Sequence, residues 1–193
     1  MSSEFTDDHA GILLVDDMED NLTALEAVLA SLNEPLVRAR SGEEAMKALL
    51  RRKFAVVLLD IRMPGMDGFE TAANIKRLDQ TRDVPIIFLT GTDADAGYAF
   101  RGYATGAADY LTKPFDPWIL RAKVSVFLDL HRKNQQLQRL LARELKQFDE
   151  LADRLTAIEA HMAAGSHSDI LELRHHVRHM EDLLQEMRQG RSR

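Results

Sequence analysis

Phe54-Ala-Val-Val-Leu-Leu-Asp60-Ile-Arg-Met-Pro-Gly-Met-Asp-Gly68 is the stretch that decides the fold. Its apolar run shows no alternation, so it reads as a strand buried on both faces, as in a parallel sheet covered by helices. Pro64, Gly65 and Gly68 then favour a turn, which leaves Asp60 at the carboxyl end of the strand. In open α/β sheets that edge is where ligands bind. Three further segments feed the same edge. Gly11-Ile-Leu-Leu-Val15 runs into Asp16 and Asp17, Val84-Pro-Ile-Ile-Phe-Leu89 runs into Thr90, and the short Asp109-Tyr-Leu111 delivers Lys113 ahead of Pro114. Carboxylates, a hydroxyl and an amine converging from strand ends suit a divalent cation and a phosphoryl group.

The spacing predicts strands near residues 11–16, 35–40, 55–60, 85–90 and 108–112. Amphipathic helices lie between them. Leu22, Leu25, Leu29 and Leu32 mark the inner face of the first, Ala45, Leu49 and Leu50 that of the second, and Phe69, Ala73 and Leu78 that of the third. Five strand–helix units with right-handed crossovers make a doubly wound α/β domain. Periodicity alone leaves the strand order open.

Each motif taken singly is an ordinary turn former, helix cap or loop. Val15-Asp-Asp17, Leu59-Asp-Ile-Arg-Met-Pro-Gly65, Phe88-Leu-Thr90 and Gly106-Ala-Ala-Asp-Tyr-Leu-Thr-Lys-Pro-Phe115 stand together in this order, each at the end of an apolar run. As a set, from about Ala10 to Leu128, they resemble the receiver domain of two-component response regulators. The resemblance implies a flavodoxin-like five-stranded parallel sheet of order 2-1-3-4-5. It implies that Asp60 accepts a phosphoryl group from a sensor histidine kinase with Mg²⁺ as cofactor. Asp17 would then ligate the ion directly, Asp16 largely through water, and Asp60 and the backbone carbonyl of Arg62 would complete the set. Thr90, Gly91 and Lys113 would contact the phosphoryl group, Thr90 and Tyr110 would form the switch, and Arg62 and Thr92 would flank the pocket.

Composition narrows the function classes. With 193 residues, 45% of them hydrophobic, the chain can bury a sound core. A net charge of −6 argues against nucleic-acid binding, which calls for a basic patch. Cys is absent, which removes disulfides, thiolate metal sites and thiol nucleophiles. The polar, acidic start at residues 1–9 reads as a disordered tail without a secretory signal. No apolar run reaches the ~18 residues of a membrane span, so a cytoplasmic protein is expected, with no membrane insertion.

Beyond the receiver-like segment (10–128) the character changes. Pro117 suits the first turn of a helix, and no further Gly or Pro appears until Gly165, so one helix is expected over 117–163, continuing the last helix of the domain. Trp118, Val124 and Phe127 are expected at its packing surface. With Phe127 at position a of a heptad, the a positions are Phe127, Asn134, Leu141, Phe148, Leu155 and Met162, and the d positions are Leu130, Leu137, Glu144, Leu151 and Ile158. Only Asn134 and Glu144 are polar, which points to a coiled coil. A turn at 164–168 leads to a second helix over 169–189, with a seam of Ile170, Leu173, Val177, Met180, Leu184 and Met187, and a tail at 190–193. A connection this short favours an antiparallel hairpin, and two hairpins would close a four-helix bundle in a homodimer. His175, His176 and His179 have neither a third ligand nor a kinase-like context, and they read as solvated helix surface. The expected output is therefore a dimeric helical extension acting on a protein partner. The alternative is the regulatory front of a longer protein that carries an output enzyme.

Overall fold

The computed structural model describes residues 11–91, 106–164 and 177–180. In order, β1 (Gly11–Val15), α1 (Glu19–Leu29), a 3₁₀ turn (Ala30–Leu32), β2 (Leu36–Ala39), α2 (Gly42–Arg51), β3 (Phe54–Asp60), α3 (Gly68–Arg77), β4 (Ile86–Thr90), β5 (Asp109–Thr112) and α4 (Pro117–Ala164) succeed one another. The five strands are parallel in the order β2-β1-β3-β4-β5, the flavodoxin-like order that the resemblance implied. Any element between β4 and β5, together with Thr92, lies outside the described residues.

Strand periodicity sorts the core into two layers. Ile12, Leu14, Val56, Leu58, Ile87 and Leu89 pack with Leu22, Leu25 and Leu29 of α1 and with Leu120, Val124 and Leu128 of α4. The alternate residues Leu13, Val15, Val57, Leu59, Ile86 and Phe88 pack with Ala45 and Leu49 of α2 and Phe69, Ala72 and Ile75 of α3. Both faces are thus sealed, which is why the strand sequences are apolar without alternation.

Some expected inner residues face out, each for a geometric reason. Leu50 is exposed because its neighbour Leu49 takes the inward direction, and adjacent helical residues point about 100° apart. Leu78 is the extended residue that ends α3, and Ala72 and Ile75 supply the packing assigned to Ala73 and Leu78. Trp118 is 68% exposed, because the buried stripe of α4 is Leu120, Val124 and Leu128, and two residues away on a helix is nearly the opposite side. Val124 is buried, and Phe127 packs against the sheet core.

Short-range hydrogen bonds set the helix starts. Ser41 accepts from the Glu44 N–H at 3.2 Å, Asp67 from the Glu70 N–H at 2.8 Å, and Asp116 from the Trp118 N–H at 2.7 Å, which leaves Pro117 in the first turn as expected.

The chain divides into two units, residues 1–133 and 134–193, with the boundary inside α4. In the second, Leu137, Leu141, Phe148 and Leu155 are each about half exposed, as expected of an apolar stripe without a partner. Leu151, a d position of the same stripe, is instead buried, and Ile158 is half-buried. Of the second helix only a helical turn at 177–180 is described, in which Val177 is exposed rather than turned inward. The side chain of Met162 and the residues Ile170, Leu173, His175, His176, Leu184 and Met187 lie outside the described residues.

One glycine couples the fold to the edge where Asp60 stands. A Cβ on Gly68 would overlap the Asp60 carbonyl oxygen and stand 2.7 Å from Ile61 Cα, so α3 can begin this close to the end of β3 only without a side chain. Gly68→Ala should therefore cost roughly 1–3 kcal/mol, the usual range for overpacking, measurable as a lowered chemical-denaturation midpoint.

Candidate phosphoacceptor site

The register of the sheet brings four strand ends together. Val15 pairs with Leu59, Asp60 with Leu89, and Thr90 with Thr112, so the residues just past β1, β3, β4 and β5 share one edge. The strand order reverses at β1, whose neighbours β2 and β3 lie on opposite sides. Ligand clefts of open α/β sheets form at such a reversal.

The centre of the site is the Lys113 ammonium. Its Nζ donates to Asp16 Oδ2 at 2.8 Å and to Asp60 Oδ1 at 2.6 Å, joining residues 97 and 53 positions apart in the chain. Asp16 is fully buried and Asp60 nearly so. Asp16 Oδ1 also accepts the Met18 N–H at 3.0 Å, and Asn21 Nδ2 donates to both Asp16 oxygens at 2.9 and 3.0 Å. Asp60 Oδ2 accepts the Arg62 N–H at 2.8 Å. The backbone of Lys113 is itself anchored, its N–H donating to the Thr90 carbonyl at 2.6 Å, next to a cis Lys113–Pro114 peptide.

Burial pushes the Asp60 carboxyl above its ordinary range, and the hydrogen bond and charge of Lys113 oppose that without cancelling it. Burial alone would lower Lys113. Its hydrogen bonds to Asp16 and Asp60 and their charges outweigh burial, and its affinity for the proton is raised. The ammonium thus stays charged where it can meet an anion.

Of the residues singled out from sequence, Asp16, Asp60 and Lys113 are in direct contact. Thr90 is nearly buried at the end of β4, with its hydroxyl 3.3 Å from the Gly91 carbonyl oxygen. A Cβ at Gly91 would overlap the Arg62 guanidinium, so that side chain lies over residue 91. Asp17 is half-buried in the turn after β1, and Tyr110 on β5 is 40% exposed. Among the described residues no three His, Asp or Glu side chains close to metal-binding spacing. What does fit a hard cation is the chemistry of the donors: two buried carboxylates, Asp16 and Asp60, already share one positive group, and Asp17 adjoins them in sequence.

Asn21 was not anticipated. The signal lay in the pattern: an amide is a poor helix former, and this one stands in the first helical turns, five residues after Asp16. It is the side chain that orients Asp16.

The family profile described as response regulator receiver domain matches residues 12–125. The chain belongs to this family. Response regulator PleD of Caulobacter vibrioides is 39% identical over 115 residues, which are 60% of this chain and 25% of that protein. The Vibrio cholerae protein named "Probable cyclic di-GMP phosphodiesterase" is 32% identical over 180 residues, 86% of this chain and 40% of that protein. The chain thus spans well under two thirds of either relative. Among solved structures, the Vibrio cholerae chemotaxis protein CheY4 matches with a TM-score of 0.58 at 29% identity, covering 62% of this chain and 98% of that one. This is a response regulator receiver domain of two-component signalling, continued by the remainder of a long helix. No helix among the described residues is long and apolar enough to cross a membrane.

The raised Asp60 carboxyl has a measurable consequence. When ionised it costs the folded receiver stability, a cost present at neutral pH and relieved as pH falls through the folded pKa towards the ordinary 3.8. Asp60→Asn should raise the melting temperature at pH 7, on the order of a few degrees, and the difference should vanish in calorimetry near pH 3.

Proposed function

We propose that Asp60 is the phosphoacceptor, that a sensor histidine kinase is the donor, and that the helical extension carries the output as a homodimer acting on a protein partner. The observation that carries the first part is the Lys113 ammonium held between two buried carboxylates at the strand-order reversal.

An oxygen of the ionised Asp60 carboxylate attacks phosphorus, a new O–P bond forms, and the N–P bond of a phosphohistidine breaks, the leaving nitrogen taking the electron pair and then a proton. Lys113 faces the developing negative charge, and the Thr90 hydroxyl and Gly91 backbone lie at the adjacent strand end. Mg²⁺, held by Asp16, Asp17, Asp60 and the Arg62 carbonyl, would neutralise charge between carboxylates and phosphoryl oxygens. Asn21 and Lys113 keep Asp16 oriented for that role. Thr90 and Tyr110 form the switch in this reading: Thr90 follows the phosphoryl group, and the exposed Tyr110 ring turns inward in response.

Dimerisation rests on exposed apolar surface. Leu137, Leu141, Phe148 and Leu155 recur at heptad spacing and are open in the single chain. Phe127 belongs to the receiver core, so the seam begins at Leu130 rather than at Phe127.

A second reading is favoured by one observation: similarity to the Vibrio phosphodiesterase covers 86% of this chain, which reaches beyond the receiver into the extension. On that reading the extension joins the receiver to an output enzyme of cyclic di-GMP metabolism in a longer protein. Cyclic di-GMP hydrolysis by the natural full-length product would decide for it.

Two outcomes test the main reading. Incubation with a small phosphodonor and Mg²⁺ should label wild-type protein once, seen as one added phosphate by mass spectrometry. Asp60→Asn and excess chelator should each abolish the label, and labelling of Asp60→Asn at normal yield would overturn the assignment. In sedimentation at micromolar concentration the wild type should be a dimer and Leu141→Asp/Phe148→Asp a monomer. Each burial lost is worth about 1.5–3 kcal/mol.

A further inference from the structure

The last turn of α4 on the receiver carries a cluster that phosphoryl chemistry does not use. Leu128 is buried in the core, and His131 lies three residues on, along the same face of the helix. The imidazole Nε2 is sealed from solvent and has no hydrogen-bond partner among the described residues. Next to it Arg132 donates to Glu34, whose side chain is only 5% exposed, and so ties α4 to the turn ahead of β2. Arg132 also reaches Asp129 on its own helix at 3.0 Å.

Two charged groups from other elements act on the imidazole. Lys53, just ahead of β3, opposes its protonation, and Glu34 favours it. Burial is the largest influence, and the net effect holds the ring below its usual 6.5. A neutral ring suits this place. An imidazolium does not, because its Nε2–H would be buried without an acceptor, near the like charge of Lys53.

We propose that His131 is an acid-sensitive latch: as neutral imidazole it lets the turn from Leu128 to Arg132 dock on the receiver, and on protonation it releases that turn. The docked ring resists a proton that the released ring accepts. Docking is therefore strongest above pH 6.5, weakens as pH falls below it, and stops weakening once pH lies below the docked ring's own pKa.

The test uses the full chain. In a histidine-detected NMR titration the His131 ring should show a midpoint below 6.5, with the backbone amides of Leu128 and Glu34 moving in step. Hydrogen-exchange protection factors over residues 128–132 should fall between pH 7.5 and 5.5, by no more than about tenfold, since pH 5.5 lies one unit below the released ring's ordinary 6.5. His131→Phe and His131→Gln, neutral at both pH values, should lack the acid-dependent loss. A midpoint at or above 6.5, or an equal acid loss in both variants, would overturn the latch. The wild-type titration reads out whether or not the variants fold.

Discussion

Two carboxylates buried at the edge of an apolar sheet are tenable only with a cation between them, and Lys113 is that cation. Its ammonium lies 2.8 Å from Asp16 and 2.6 Å from Asp60, so one side chain ties the loop after β5 to the ends of β1 and β3. Removing Lys113 from such a set would leave two buried carboxylates uncompensated, a loss far larger than the net worth of the set. The arrangement therefore constrains more than it stabilises. It requires the carboxyl ends of β1, β3 and β5 to lie level before Lys113 can reach both carboxylates.

The same three groups suit the proposed phosphoryl chemistry because the site is built from near-conflicts. Burial raises the Asp60 carboxyl and Lys113 restrains the rise, so the acceptor stays within reach of ionisation while the ammonium is held ready for an incoming anion. Gly68 and Gly91 supply the clearances: the first lets α3 start against the Asp60 backbone, and the second admits the Arg62 guanidinium over its own Cα. Neither clearance stabilises anything by itself. Both keep the acceptor at the surface of a rigid core.

α4 connects the receiver to the helical extension. Its inner stripe of Leu120, Val124 and Leu128 completes the packing of α1 and the sheet, and the ion pairs Lys123–Asp109 and Arg132–Glu34 hold it at two levels. Farther along, Leu137, Leu141, Phe148 and Leu155 of the same helix are about half exposed, while Leu151 is buried and Ile158 half-buried. A single helix thus changes from a core element to an exposed apolar surface beyond Leu128.

The sheet was legible in the sequence because a strand buried on both faces must be apolar throughout, and the runs around Leu13, Val57 and Ile87 have no other soluble use. Asp16, Asp60 and Lys113 were legible because each polar residue ends such a run. The long helix was legible from the absence of Gly and Pro between Pro117 and Gly165. Periodicity left the strand order open; the resemblance implied it, and the pairings of β1 with β2 and β3, of β3 with β4 and of β4 with β5 establish it, since order depends on contacts between distant segments. The direction of Trp118, Leu50 and Leu78, the capture of Phe127 by the core, and the parts of Asn21, Glu34 and His131 were likewise tertiary decisions. A residue's own sequence neighbourhood says whether it can be buried. Which side of a helix meets the sheet, and which distant group stands opposite, is settled only when the elements pack.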